Sequence, residues 1–397
     1  MSANSVPELE RDRRVNAAAP IVAYGDRSVL RVPGHLKALG AQRVLLVCGR
    51  RSFDASGAAA MLPDLESSAK VHRWSDFAAN TDSADLRNGL GIMREFEPDV
   101  VIGVGGGSAL DMAKLLCGFR DVPHDRVLDS IRSGVNTATR QERLVLVPTT
   151  SGSGAEATHF AVVYIGHEKY SVGGDAMRPD VIALDPTLAV SGSPYQRATS
   201  GIDAVCQAIE SLWAVSATDR SRHFARTALR ALMPAIESFV NEPDPESARA
   251  MCIGSHFAGR AIDISRTTAA HALSYGITKN YGLSHGHAVA LTLGQFLELH
   301  ADAVTGSLHP DVDPTRHQMV MSEILQFLKA ANGSEGRIAF NQLMQTIGLS
   351  SSISNIASSA TDREHFVRTV NVERLGNNPY LLDEATLHLI LALSNVP

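Results

Sequence analysis

Residues 100–114 read Val-Val-Ile-Gly-Val-Gly-Gly-Gly-Ser-Ala-Leu-Asp-Met-Ala-Lys. An apolar run without polar alternation is how a strand buried on both faces of a parallel sheet reads. Three glycines then force a tight turn, and Ala109 to Cys117 continues with helical patterning. The start of such a helix carries unsatisfied N–H donors and partial positive charge, which suits a phosphate. Gly105, Gly106, Gly107 and Ser108 are therefore a candidate phosphate cradle, with Asp111 in the same motif. The match to the dinucleotide fingerprint is incomplete, because Ser108 stands where a third glycine belongs. The competing reading is a structural turn closed by a Ser108–Asp111 capping box.

Working outward, Val44–Val47, Leu144–Val147, Val162–Ile165 and Val181–Leu184 are further continuous apolar runs, with Ala/Leu-rich segments between the first ones. This βαβ rhythm predicts an α/β dinucleotide-binding domain with a parallel sheet over residues 1–190. A second loop, Pro148-Thr149-Thr150-Ser151-Gly152-Ser153-Gly154, also follows a buried run. It places Thr149, Thr150 and Ser153 where open α/β sheets bind ligands. The loop Gly49-Arg50-Arg51 offers no acid for a ribose 2′-hydroxyl but two arginines for a 2′-phosphate, so NADPH stands beside NADH as the expected cofactor.

Val190 to Pro194 is small and turn-prone, a hinge by composition. Beyond it only helical periodicity is found. Phe224, Ala228, Leu232 and Ile236 form one stripe, with a kink expected at Pro234. Further helices are expected near 245–264, 286–300, 315–331 and 335–346, which makes 191–397 an all-α domain.

The 36 basic and 42 acidic residues sum to −6. A chain built to grip a polyanion shows a basic excess, so nucleic acid is excluded as the expected partner. The 44% hydrophobic content and the absence of like-charge blocks exclude a disordered chain. Four scattered cysteines without a CxxC pair read as reduced core thiols. The polar amino terminus lacks the apolar stretch of a signal peptide, and no run approaches a membrane span, so the expected address is the cytoplasm, with no membrane partner. A small-molecule substrate and a homodimer are the candidate partners.

In the helical half, Asp203 and Gln207 lie four apart and share a face, as do Thr267 and His271. His285 and His287 follow a short loop. One carboxylate with imidazoles is the raw material of a divalent metal site, although isolated histidines are more often hydrogen-bonded core groups.

These motifs together resemble the iron-containing (group III) alcohol dehydrogenases over nearly the whole chain. The resemblance rests on GGGSALDMAK at 105–114, VPTTSGSGAEAT at 147–158, GIDAVCQAIE at 201–210, TTAAHALSY at 267–275 and GLSHGHAVAL at 282–291. It implies a dehydroquinate synthase-like fold, a cleft between two domains, and NAD(P) on Gly105–Ser108 and Thr149-Thr150, with Lys169 reaching toward it. It also implies Fe²⁺ or Zn²⁺ held by one Asp and three His. Asp203 and His285 match two ligands, while Gln207 and Thr267 stand where the other two histidines are expected. His271 matches a position near substrate and nicotinamide, a proton-relay candidate. Asp203, Gln207, His271 and His285 are thus the candidate metal set. Either His271 completes a weaker site with Asp203 and His285, or catalysis proceeds without metal.

Within the family, Gln207, Ile209–Trp213, Arg266–His271 and His285-Gly-His287 are most similar to the phosphonate-metabolism members that reduce phosphonoacetaldehyde to 2-hydroxyethylphosphonate. The expected reaction is hydride transfer from NAD(P)H to a small anionic aldehyde, with Asp203, His271 and His285 catalytic. Arg266 and Thr267 are candidates for the anionic tail, against a plain helical surface pairing of Arg266 with Asp263. Sulfoacetaldehyde, phosphonopyruvate or a neutral aldehyde are the rival substrates. A sugar-phosphate cyclase of the same fold is a rival reaction, distinguished because it regenerates its cofactor, and a non-catalytic nucleotide-binding relative is a third alternative.

Overall fold

The computed structural model describes residues 20–134, 136, 139–166, 168–353, 364, 367, 368, 370 and 375–393. The chain divides into two compact units. One comprises residues up to Thr149 together with His159–Asp185, and the other Thr150–Thr158 together with the chain from Pro186 onward.

The first unit carries β1 (Ile21–Tyr24), α1 (Val32–Ala38), β2 (Arg43–Cys48), α2 (Ser52–Ala55), α3 (Leu62–Ser68), β3 (Lys70–Trp74), α4 (Ser83–Phe96), β4 (Val100–Gly105), α5 (Gly107–Phe119), α6 (Val127–Arg132), β5 (Arg143–Pro148), β6 (Phe160–Ile165), β7 (Glu168–Gly173) and β8 (Val181–Leu184). Six strands form one parallel sheet in the order β1-β8-β5-β4-β2-β3. Val44–Cys48, Val100–Val104, Leu144–Val147 and Val181–Leu184 are buried throughout, which explains their unbroken apolar character.

Val162–Ile165 departs from expectation. It belongs to β6, which pairs antiparallel with β7 as a separate ribbon. The ribbon is tied to α5: Asp111 Oδ2 accepts from Val162 N at 2.9 Å, and the fully buried Lys114 Nζ donates to the Phe160 carbonyl at 3.0 Å. Coverage by that helix makes its run apolar without a place in the sheet.

The second unit is helical: α7 (Pro194–Trp213), α8 (Asp219–Asn241), α9 (Pro245–Ser265), α10 (Ala269–Tyr281), α11 (His285–Ala301), α12 (Pro314–Phe327), α13 (Gly333–Thr346) and α14 (Glu384–Leu393). Among the described residues no strand follows β8, only an isolated bridge between Leu308 and Tyr380. Helix α7 packs against α8, α9, α11 and α12, and is buried from Gly201 to Trp213. Pro234 lies inside α8.

Residues 150–158 group with the helices, whereas the sequence placed them within a first domain ending at 190. The cause is close backbone packing. A Cβ on Gly152 would lie 2.5 Å from the Ser200 carbonyl, and one on Gly154 would lie 2.4 Å from Gly259 Cα. Gln207 Nε2 donates to the Ser153 carbonyl at 3.3 Å, and His256 Nδ1 meets Glu156 Oε1 at 3.2 Å.

Candidate active site

In the sheet unit, strand order reverses between β2 and β4, since the chain runs from β2 outward to β3 and then returns to β4. Open α/β sheets bind ligands at the carboxyl ends beside such a reversal. Gly49 and Gly105 end those strands side by side: a Cβ on Gly105 would lie 3.8 Å from Gly49 N. Gly105 has a φ of 152°, in the region that favours glycine. Gly106 is the N-cap of α5 and supplies no side chain to its first turn, so the helix start stays open to an anion. Thr149 N is bonded to the Gly105 carbonyl at 2.9 Å, which places it at the same strand ends.

The capping-box alternative does not form. Ser108 Oγ accepts from Asn80 N at 3.0 Å, and the Asp111 carboxylate serves Val162 N and lies 3.7 Å from Lys114 Nζ. Burial raises the Asp111 carboxyl above its ordinary range against the pull of Lys114 and Lys169. Asp111 therefore fastens the ribbon that carries Lys169. Arg50 pairs with Asp76 at 2.7 Å, both largely exposed, so that pair holds the loop weakly.

In the helical unit, three elements bring Asp203, His271 and His285 together, and each offers a ligand atom within 4.8 Å of the others. Asp203 lies in mid-α7, His271 in the first turn of α10, and His285 opens α11. Gly286 permits the approach of α11 to α7. A Cβ there would lie 2.0 Å from the Thr199 carbonyl and 2.6 Å from Asp203 Cβ. His271 Nε2 faces Asp203 Oδ1 at 3.5 Å.

The unforeseen member is Glu210. It is fully buried on α7, two turns from Asp203, and its Oε1 accepts from Thr268 N at 3.2 Å, Ala270 N at 3.2 Å and Thr268 Oγ1 at 2.7 Å. Those donors are the N-terminal amides of α10, whose N-cap Thr268 makes no cap of its own, so Glu210 caps that helix from α7. Its Oε2 accepts from His271 Nδ1 in a short contact. Burial alone would raise the Glu210 carboxyl, but His271 and the converging donors hold it below its ordinary range. Burial likewise disfavours charge on His271, yet Glu210 and Asp203 outweigh it and carry the imidazole up to about 9. In the sequence, only the spacing 203, 207, 210 marked Glu210 as sharing the Asp203 face.

Ser274 Oγ donates its single proton to the His271 carbonyl at 2.7 Å, so its contact with His285 Nδ1 at 3.3 Å uses a proton on that nitrogen. Both imidazoles thus have Nδ1 committed as donor, so Nε2 is the nitrogen each would offer a cation, with His271 releasing its second proton on binding. Gln207 Nε2 donates to Asp203 Oδ2 at 3.1 Å as well as to Ser153, while Gln207 Oε1 is buried with no hydrogen-bond partner among the described residues. The donor set of one carboxylate, two imidazoles and one spare amide oxygen fits a divalent cation.

Thr267 does not share a helical face with His271, because the chain leaves the helix at Arg266. Arg266 adopts φ 59° and ψ −175°, a strained conformation for a residue with a side chain. Asn377 Nδ2 brackets it, donating to the Ser265 and Thr267 carbonyls at 2.8 and 3.0 Å. His287 lies outside the cluster, with Nε2 on the Ser350 carbonyl at 2.8 Å.

A parallel-sheet unit with a glycine-opened helix beside its strand-order reversal, followed by a helical unit holding a carboxylate–imidazole cluster, is the architecture of a nicotinamide-dependent dehydrogenase. The iron-containing alcohol dehydrogenase family model matches residues 19–186 and the model of that family's C-terminal region matches 197–393. The chain belongs to the iron-containing alcohol dehydrogenase family and is an NAD(P)-dependent alcohol dehydrogenase/aldehyde reductase. It is 30% identical over 310 residues to the phosphonoacetaldehyde reductase of Streptomyces viridochromogenes, covering 75% of this chain and 77% of that one. It is 33% identical over 227 residues to long-chain-alcohol dehydrogenase 1 of Geobacillus thermodenitrificans, covering 56% and 57%. Its fold matches the sulfoacetaldehyde reductase of Bifidobacterium kashiwanohense, solved in complex with NAD⁺, at a TM-score of 0.84 and 23% identity over 97% of this chain and 100% of that one. No helix among the described residues is long and apolar enough to cross a membrane.

Proposed function

We propose that the protein reduces a small anionic aldehyde, phosphonoacetaldehyde foremost, to its alcohol at the expense of NAD(P)H. The observation that carries this reading is the Asp203–His271–His285 cluster, buried at Asp203 and His271 and half-buried at His285, with a strained, bracketed arginine five residues before His271. Similarity to the phosphonoacetaldehyde reductase supports the phosphonate.

When bound, NAD(P)H supplies the hydride and a divalent cation held by Asp203, His271 and His285 opposes charge on the carbonyl oxygen. The chain's own groups do the rest. Gly105, Gly106, Gly107 and Ser108 present the α5 start to the pyrophosphate, with Thr149 beside them. Thr150 and Ser153 belong to the adjoining loop, Lys169 reaches toward the cofactor, and Gly49 with Arg50-Arg51 leaves room and charge for a 2′-phosphate. Glu210 keeps the His271 proton on Nδ1. Arg266 takes the phosphonate oxygens through its guanidinium fork, with Thr267 alongside.

The test is a panel of aldehydes with both cofactors, on wild type and Arg266→Ala. Loss of a charge-assisted hydrogen-bonded pair, about 1.5–3 kcal/mol, raises KM for phosphonoacetaldehyde roughly 10- to 100-fold while a neutral aldehyde is little affected. An equal rise for both sinks the anion assignment. A second reading, catalysis by the His271 imidazolium without metal, is favoured by the carboxylates that carry that imidazole up to about 9. Turnover unchanged after verified metal removal selects it.

A further inference from the structure

Gln207 and Thr267 stand where the resemblance places two further imidazoles. Gln207 donates its amide protons to Asp203 and Ser153, which leaves only its neutral Oε1 to offer, and Thr267 sits off the helix with its carbonyl held by Asn377. We infer that Glu210 is the positioning residue that converts His271 into a metal-ligating imidazole, so that the cation is held by Asp203, His271 and His285. This rests on the metal reading proposed above.

Three observations carry the inference. First, a ligating imidazole needs its other nitrogen protonated and held, and a carboxylate is the strongest such holder. Glu210 Oε2 on His271 Nδ1 is that arrangement, and Ser274 Oγ on His285 Nδ1 is its neutral counterpart. Second, Glu210 cannot turn away. Its Oε1 is fixed by Thr268 and Ala270 at the start of α10, and α10 is the helix that carries His271. Cap and imidazole are therefore set by one carboxylate. Third, Gln207 on Asp203 Oδ2 leaves Oδ1 as the oxygen facing His271 Nε2.

The decisive variant is Glu210→Gln, because it separates the cap from the proton. Its amide oxygen still accepts from the α10 amides. Its amide nitrogen is a donor, so His271 Nδ1 must accept and the ring proton moves to Nε2, which then cannot bind metal. Zn²⁺ titrations of chelator-stripped protein, competed with a chromophoric chelator, measure affinity independently of turnover. The wild type takes up one Zn²⁺ per chain. Glu210→Gln binds roughly 10- to 100-fold more weakly while still unfolding cooperatively in chelator, and Glu210→Asp recovers part of the loss. Equal affinity in wild type and folded Glu210→Gln overturns the inference alone. No Zn²⁺ uptake by the wild type overturns the metal reading beneath it. If Glu210→Gln does not fold, ¹⁵N NMR of the Zn²⁺-loaded wild type decides. Zinc on His271 Nε2 with a protonated Nδ1 supports the inference, and a His271 ring unmoved by Zn²⁺ overturns it.

Discussion

Two groups of histidines share the helical unit, one made of the buried His271 and the half-buried His285, the other of the buried His300 and His317. Burial is alike: His271 is 4% exposed, His300 1% and His317 5%. Their neighbours differ. His271 lies between Glu210 and Asp203. His300 meets Asn378 Nδ2 at 3.2 Å, stacks on Tyr380 and takes the edge of Trp213, while His317 Nε2 bonds the His300 carbonyl at 2.9 Å. Among the described residues no carboxylate bonds either of the second pair. Burial then acts unopposed, and the imidazoles of His300 and His317 are held below their ordinary range. The carboxylates Glu210 and Asp203, not burial, separate these two groups of histidines.

The largest expected break in this contrast is geometric. Gly286→Ala sets a methyl against the Thr199 carbonyl and Asp203 Cβ, backbone and near-backbone atoms that cannot yield. The start of α11 must move off α7, taking His285 from Asp203. A misplacement of about 1 Å costs on the order of 100-fold in rate, so kcat/KM falls at least that far with helix content preserved by circular dichroism. Gly306→Ala, which meets nothing within 4 Å, serves as the control and leaves kcat/KM unchanged. A fully active Gly286→Ala would show that the His285–Asp203 approach is dispensable.

The need for Gly286 was invisible in the sequence, since it arises from the backbone of α7. The same logic separates what was legible from what was not. β2, β4, β5 and β8 announced themselves because both faces are covered. β3, Lys-Val-His-Arg-Trp, did not, because its edge position leaves it mostly exposed. The sheet edge β1 was missed as well. Asp203, His271 and His285 were legible through spacing and resemblance. Glu210 was not, because a glutamate on a helix reads as a solvated face until its donors, spread over another helix, are seen. Thr267 was misplaced because the helix ends at Arg266 in a conformation no propensity favours.

A smaller effect concerns acid. Above pH about 6.5 His300 is neutral in both folded and unfolded chains and adds nothing to the pH dependence. Below it, the unfolded chain takes a proton that the folded one refuses. Stability therefore falls by up to about 1.4 kcal/mol per pH unit for this residue, until the depressed folded value is reached. His271 has the opposite sign in metal-free protein. Its raised value gives stability that is complete below about pH 6.5 and is lost as pH climbs through about 9. His300→Phe keeps the aromatic contacts with Trp213 and Tyr380 and abolishes the titration. Urea unfolding of the variant between pH 5 and 7 is expected to show a flatter acid limb than wild type, with kcat unchanged at neutral pH. An identical acid limb would mean that His300 is not held neutral.

The smallest effect tests whether the two groups are independent, because Trp213 touches both. Its ring packs against His300 at 4.4 Å, and its Nε1 donates at 3.0 Å to Thr268 Oγ1, which in turn donates to Glu210. Trp213→Phe deletes that donor while keeping an aromatic ring beside His300. Thr268 Oγ1 loses an acceptor role but retains its donation to Glu210, and Glu210 retains its amide donors from α10. The cost is therefore that of one hydrogen bond, about 1 kcal/mol of stability by urea unfolding. Because the contact between Glu210 and His271 Nδ1 is untouched, kcat and KM stay within a few-fold of wild type. A 100-fold loss in kcat at unchanged stability would break the comparison, since it would mean that the chain Trp213–Thr268–Glu210 transmits the packing of the neutral histidines to the imidazole of His271.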